Sequence, residues 1–482
     1  MSWRATQFPL AGGLDVLGDA QPGFLLAGEN FRALPEGGYR RLDGAELYDG
    51  RTVSAAAIPG AGPVRGLAVY KGELYGWRND AGNTRLRMYK ATASGWSEVG
   101  SATTITAGGE IQAVSYAFSG AAGAVRLYFI NGVDNKAYQW DGATLTAITW
   151  LAGGSAAALA CHQNRLWLAA AGSVQGSGLG NPTSATGGVE FGMGDAVQTL
   201  QPWRDDALLV GCANRVNMLT GASTASMAQK TITTATGAQR FIEVGGEMLA
   251  LWQGGVNGIQ AVQTFGDADS VSLLTRIRPR WRGFWRAIGK LNDSLGVLQD
   301  GDRTGWLLTH QAGGAPQWMR FFLPWTVSAL ASDDAALYFG ASDGAVYRMR
   351  AGLTSFAGAP IAAYIRTVFS GLGDAQTKKR LFRFGLLMDC DAPVPLRFTV
   401  ENEDVAQNPD AGMFAGHGDA GLYGTGAWGG FHWGISPAAD EYACVSGVGR
   451  QFSALLFSES ASLSAFTLRQ AMYQFNPWSG RR

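Results

Sequence analysis

Excess charge of either sign is missing from this chain. Lys plus Arg number 38 and Asp plus Glu number 38, so the formal net charge is zero. Sequence-independent nucleic-acid binding works by neutralising phosphates with surplus Lys and Arg. Without that surplus, tight DNA binding is not expected, although DNA can still slide past a neutral wall. Charged residues are also sparse, at 16% against roughly 25% for an average soluble domain. Low, balanced surface charge suits a chain whose faces are covered by neighbours.

Other shortages narrow the classes further. Four cysteines, Cys161, Cys212, Cys390 and Cys444, lie far apart with none of the paired spacings of zinc sites or disulfide frameworks. They read as four buried thiols acting as small apolar fillers. Only four histidines occur, which starves metal and acid–base chemistry. No apolar run approaches about 18 residues, so no spanning helix is expected. The N-terminus shows no basic start followed by an apolar core, so no secretory signal is visible and a cytoplasm-like compartment is expected. Helical periodicity is almost absent; residues 155–160 are one of the few stretches able to form a turn or two. The class is all-β.

What is present is a repeat. Between Val64 and Met349 the chain runs about seven times through an alternating apolar strand, a Gly/Asp/Asn turn and a second strand. Leu74, Leu127, Leu166, Leu208, Met248, Val297 and Leu337 mark successive copies, 39 to 53 residues apart. A period near 40 with two or more hairpins per unit is the signature of β-propeller blades. The 68 glycines serve the positive-φ turns, and abundant Trp, Phe and Tyr fill wide sheet faces. Residues 61–355 are therefore expected to form a propeller of about seven blades. A Gly-rich loop at 172–188 reads as a surface excursion.

The flanks do not repeat. Residues 1–60 carry turn clusters and short apolar pieces, an extended arm with two or three strands that cannot bury a core alone. Residues 356–482 contain longer strands and are expected to form a β-sandwich platform that the arm joins. In the strand starting at Leu381, Leu381, Arg383 and Gly385 alternate with Phe382, Phe384 and Leu386, so one side is buried. The Gly-rich stretch 410–434, with Trp428, Phe431 and Trp433, reads as a contact loop with aromatic anchors.

Candidate chemistry is thin. NDAGNTR (79–85) and SDGAVY (342–347) resemble the Asp-box of sialidase-type propellers, but an Asx-turn followed by a Gly accounts for them. YQWDG (138–142) holds a Trp-Asp pair without the Gly-His partner of a WD40 repeat. His417, Asp419 and His432 lack metal-ligand spacing. Cys161 and His162 are adjacent on a strand and so face opposite sides. The sharpest basic segment is RIRPRWRGFWR (276–286), with Arg278, Arg280, Trp281 and Arg282 at its centre. It reads either as an edge strand whose arginines pair with acids or a neighbour, or as a stacking and phosphate-contact patch. The KKR at 378–380 reads as a solvated turn. No catalytic, cofactor or metal residues are expected.

ENFRALPEGGYRRLDGAELYDGR (29–51) resembles the opening of structural proteins from bacteriophage tail clusters, where these Asn-Phe, Gly-Gly-Tyr-Arg-Arg and Asp-Gly elements recur together. NRLWLAAAGSVQGSGLGNP (164–182) and the closing LRQAMYQFNPWSGRR are similar to the same proteins. The chain thus resembles the tail nozzles of short-tailed phages, the tail tubular protein B class. The resemblance implies a non-enzymatic virion protein, assembled in the host cytoplasm into a homohexameric tail ring. Its implied partners are further copies of itself, an adaptor ring of the head-to-tail connector, tail fibres and DNA in transit without tight binding. Phe31, Tyr39, Arg40, Arg41, Arg278, Arg280, Trp281, Arg282, Trp428 and Trp433 are the candidate assembly or channel contacts, Phe31 and Tyr39 being expected to anchor the arm against the platform or a neighbour. A carbohydrate-binding or glycan-hydrolysing propeller is the alternative; it requires an axial pocket with clustered carboxylates and exposed Trp. A head-completion or fibre-attachment protein of the same virion is a third reading.

Overall fold

The computed structural model describes residues 4–17, 21–51, 55–119, 124–221, 226–261, 268–274, 276–281, 287–291, 295–310, 314–333, 335–390, 394–402, 412–416 and 438–478. Strands dominate, and the helical content among these residues is 3₁₀ only, as in the turn Arg278–Arg280. Seven sheets follow one another between Ala61 and Arg350, each an antiparallel meander. Their inner strands are Ala61–Tyr70, Gln112–Tyr116, Ala158–His162, Val197–Trp203, Arg240–Val244, Ala287–Leu291 and Val327–Ser332. Each packs against the inner strand of the next sheet, and the seventh packs against the first. The sheets therefore close into a ring, a seven-bladed propeller. Residues 155–160, a stretch able to form a helical turn, instead lead into the inner strand of blade 3, which both neighbouring blades cover.

The second strand of every blade explains the repeat. These strands are Glu73–Asn79, Arg126–Ile130, Arg165–Ala170, Ala207–Cys212, Glu247–Trp252, Leu295–Gln299 and Ala336–Ala341. Each holds one of the seven marker residues, and each is buried almost throughout. A strand sandwiched between two neighbouring blades loses both faces to packing, so it reads as a continuous apolar run rather than an alternation. Separate aromatic clusters fill the spaces between blades, such as Trp77 against Phe129 at 5.0 Å and Phe129 stacked on Tyr138 at 5.1 Å.

Blade 7 is completed by the arm. Ala45–Leu47 pairs antiparallel with Val346–Arg350 and supplies the outer strand. Glu46 Oε1 accepts from Arg348 Nη2 at 2.5 Å and from Arg350 Nε at 3.1 Å, which pins this three-residue strand in register. Closing the ring with a distant segment removes the free sheet edge that blade 7 would otherwise expose.

Blade 6 runs on into the platform. Its outer strand Gln317–Phe322 meets Leu25–Glu29 in parallel at Arg320 and Glu29, and Leu25–Glu29 pairs in turn with Ile361–Thr367. Phe452–Ser460, Val394–Asn402 and Gly412–Gly416 extend this into one nine-stranded sheet. A second sheet is built from Phe31–Ala33, Tyr39–Arg41, Thr467–Pro477, Lys379–Asp389 and Ala438–Gly449, with Arg4–Pro9 also on Thr467–Pro477. The two sheets face each other through Phe384 and Phe398, 5.5 Å apart, and Tyr473, the partner of Phe384 within its own sheet, adds a ring 5.0 Å from Phe384. This is the β-sandwich platform. The arm contributes five strands and serves both parts of the molecule, more than an appendage of the platform.

Two local expectations fail for identifiable reasons. In Lys379–Asp389 the alternation breaks at a bulge between Leu381 and Arg383, so Lys379 and Leu381 are buried before it and Phe384, Leu386 and Met388 after it. One inserted residue flips the phase of every side chain beyond it. Lys379 is no solvated turn: it is 3% exposed and its ammonium donates to the carbonyls of Asp374, Thr377 (2.8 Å) and Arg450 (3.4 Å). The 172–188 loop is shorter than expected, because Ser173–Gly176 is the third strand of blade 3. Leu179 lies in the remainder and is 63% exposed.

Candidate functional site

The described inner strands line a cavity at the propeller axis, with a volume of about 110 Å³. Its polar lining comes from Arg65 on blade 1, Glu110 and Gln112 on blade 2, Arg240 on blade 5 and Ser328 on blade 7. Arg240 Nη2 lies 3.1 Å from Glu110 Oε2. Blades 2 and 5 stand on opposite sides of the ring, so this ion pair reaches across the axis. Glu110 is well exposed, so screening leaves the pair worth at most about 1 kcal/mol; its effect is to obstruct the axial mouth. Gln112 Nε2 donates to Ala157 O at 3.1 Å, and Ser328 Oγ donates to Val64 O at 2.9 Å. None of these five residues stood out in the sequence. A polar or charged side chain on the inner strand of a blade was the only available signal, and it requires knowing which strands are innermost.

The arm residues singled out from the sequence are spent inside the chain. Phe31 is fully buried, its ring 5.8 Å from Phe466 in an edge-to-face arrangement. Tyr39 is fully buried; its hydroxyl donates to Gly23 O and accepts from Gly13 N, both at 3.0 Å. Burial drives its phenol well above the usual range. Arg41 is also fully buried, donating to Leu463 O at 2.9 Å, Ser460 O at 2.8 Å and, at longer range, Ile361 O. Burial pulls its guanidinium down to about 10, with Asp43 opposing, so it stays charged at neutral pH. Phe31 and Arg41 lock the arm to the platform, Tyr39 ties two arm segments together, and none of the three presents a surface to a neighbour. Arg40 is half-buried beside Asp43 at 3.8 Å.

The described part of the basic segment, residues 276–281, holds a 3₁₀ turn rather than a strand. Arg278 and Arg280 lie in it and are exposed, and Trp281 follows. Trp281 packs on Trp306 at 6.1 Å and Trp318 at 5.9 Å, so the indole anchors the turn to blade 6. Arg276 lies over Phe24 at 4.2 Å. Pro279 accounts for the turn: its ring fixes φ and removes a strand donor. Arg282, Trp428 and Trp433 lie outside the described residues, as do His417, Asp419 and His432.

The remaining motifs are structural. Asp80 Oδ1 accepts from Thr84 N at 2.8 Å and Arg85 N at 3.2 Å, and Asp141 Oδ1 accepts from Ala143 N and Thr144 N, both at 2.7 Å. Asp343 Oδ1 likewise caps Ala345 N. Each is a hairpin turn held by a carboxylate. Cys161 and His162 are both buried, and burial raises the thiol far above its usual range and lowers the imidazole. A protonated thiol beside a neutral imidazole is no nucleophile pair. Among the described residues no three His, Cys, Asp or Glu side chains converge as a metal site.

The fold defines a seven-bladed β-propeller fused to a β-sandwich. No protein-family model matches the sequence, and no curated protein is similar to it. Similar solved structures include the WD40 propeller domain of Doa1, 14% identical over 64% of this chain and 96% of that one, with a TM-score of 0.44. Virginiamycin B lyase from Staphylococcus aureus is 12% identical over 64% of this chain and 98% of that one, with a TM-score of 0.45. The computationally designed Ika8 protein is 14% identical over 64% of this chain and all of that one, with a TM-score of 0.38. The architecture stated above rests on this chain's own strand pairing.

Proposed function

We propose that this protein is a virion structural component, a subunit of the nozzle ring of a short phage tail. The observation that carries the reading is the fusion of propeller and platform. A single nine-stranded sheet joins blade 6 to the platform through Leu25–Glu29, and the segment 29–51 that follows, which bears the phage-tail resemblance, gives strands to the platform and to blade 7. Strands shared between two domains resist the hinge motion that a flexible linker permits. Such a body suits a ring that must keep its lumen open under load.

The role is mechanical. Subunits pack side by side, the platform docks towards an adaptor ring on the portal side, and fibres attach outside. DNA passes between subunits and not along the propeller axis, because the axial cavity of about 110 Å³ is crossed by Arg240 and Glu110. A glycan-acting propeller is the weaker reading, since Glu110 is the only carboxylate among the described residues lining that cavity and no Trp lines it.

Size-exclusion chromatography with light scattering, followed by electron microscopy, tests the proposal. The expected result is a ring with about six times the 50.9 kDa of one chain, formed alone or on adding the adaptor. A persistent monomer that binds a glycan overturns it.

A further inference from the structure

We propose that the axial mouth of the propeller binds a small oxyanion, such as phosphate, sulfate or a carboxylate, between Arg65 and Arg240. The inference stands on the cavity and does not depend on the tail assignment. The cavity is several times larger than the roughly 10–15 Å³ that one water needs, at about 110 Å³. It is far too small for a nucleic-acid strand.

Charge and donor balance choose the ligand. Arg65 and Arg240 bring two guanidinium groups, and Glu110 is the only carboxylate among the described lining residues. The net charge of the lining is therefore positive. Glu110 is taken by Arg240. Arg65 has no ion pair among the described residues, and its Nε is buried with no hydrogen-bond partner. A buried donor left unpaired is destabilising, and a bound acceptor relieves that cost. The amide of Gln112 and the hydroxyl of Ser328 already donate to backbone carbonyls. Arg240 Nη1 also donates to Gln239 O at 2.9 Å, so the donors left over belong chiefly to Arg65, whose planar fork matches the oxygens of a carboxylate or phosphate, with the Arg240 charge alongside.

Isothermal titration calorimetry on the full chain tests this, with sodium phosphate against sodium chloride at matched ionic strength. We expect saturable binding of phosphate and none of chloride. Arg65→Ala should weaken it at least tenfold. Glu110→Gln, an exposed change that leaves the fold intact, should tighten it about fivefold, the scale of removing one unit charge a few ångströms away in a water-like medium. No saturable phosphate binding by the unmodified chain overturns the proposal. So does an Arg65→Ala protein that binds equally well, or a Glu110→Gln protein that binds more weakly. If Arg65→Ala fails to fold, the sign of the Glu110→Gln effect decides alone.

Discussion

Replacing Arg41 tests how the arm is held. Its guanidinium makes two short hydrogen bonds to carbonyls, to Leu463 at 2.9 Å and Ser460 at 2.8 Å, with a longer and weaker one to Ile361 at 3.5 Å. Hydrogen bonds to a charged group contribute roughly 1.5–3 kcal/mol each, so their loss removes about 3–6 kcal/mol. Working against this, the buried charge carries a desolvation penalty of several kcal/mol that the substitution relieves. The carbonyls then remain buried without a donor, and alanine also deletes two methylenes at about 0.8 kcal/mol each. The balance is a destabilisation of about 3–4 kcal/mol for Arg41→Ala and about 2 kcal/mol for Arg41→Met, which keeps the stem. Arg41→Lys should be mildest, because an ammonium still reaches one of the carbonyls. Urea unfolding followed by Trp fluorescence measures the order Ala, Met, Lys, and limited proteolysis shows whether cleavage sites open in the arm first. Arg41→Ala within about 0.5 kcal/mol of the unmodified chain refutes the reasoning, as does destabilisation with no change in arm cleavage.

Two further outcomes follow from burial. His162 has its imidazole held below the usual 6.5 by burial, with Asp206 and Asp205 opposing. A base with a depressed folded pKa binds fewer protons folded than unfolded, so stability falls as the pH drops through 6.5, by at most about 1.4 kcal/mol per pH unit; His162→Phe should flatten that part of a stability–pH curve, and an unchanged slope refutes the assignment. Cys161, Cys212 and Cys390 are buried, Cys212 with its thiol pushed up to about 11, whereas Cys444 is exposed. An aromatic disulfide reagent at pH 8 should therefore titrate one thiol in the native protein and four in denaturant, and a second native thiol contradicts the burial.

The propeller was legible in the sequence because each blade is a local object. A strand, a turn and a returning strand lie within about 40 residues, and carboxylate-capped turns such as that of Asp80 are set by neighbours four and five positions away. The sandwiched second strands announce themselves as apolar runs, which is why all seven marker residues from Leu74 to Leu337 fall on them. The bulge at Leu381 was not legible: two sheet partners, not the strand's own pattern, decide where an extra residue sits. Nor was the fate of Phe31, Tyr39 and Arg41, whose aromatic and basic character fits an exposed contact as well as a buried lock. Only the partners Phe466, Gly23, Ser460 and Leu463 settle it.

By itself, then, the sequence determined an all-β chain of zero net charge with a sevenfold repeat between two non-repeating flanks, since composition and period depend on neighbours a few residues apart. Tertiary structure decided everything that joins distant segments. It placed Ala45–Leu47 in a blade whose other strands lie some 300 residues away, ran blade 6 into the platform through Leu25–Glu29, and set Glu110 against Arg240 across the axis. Those contacts depend on ring closure, and no local pattern encodes which blades end up opposite one another.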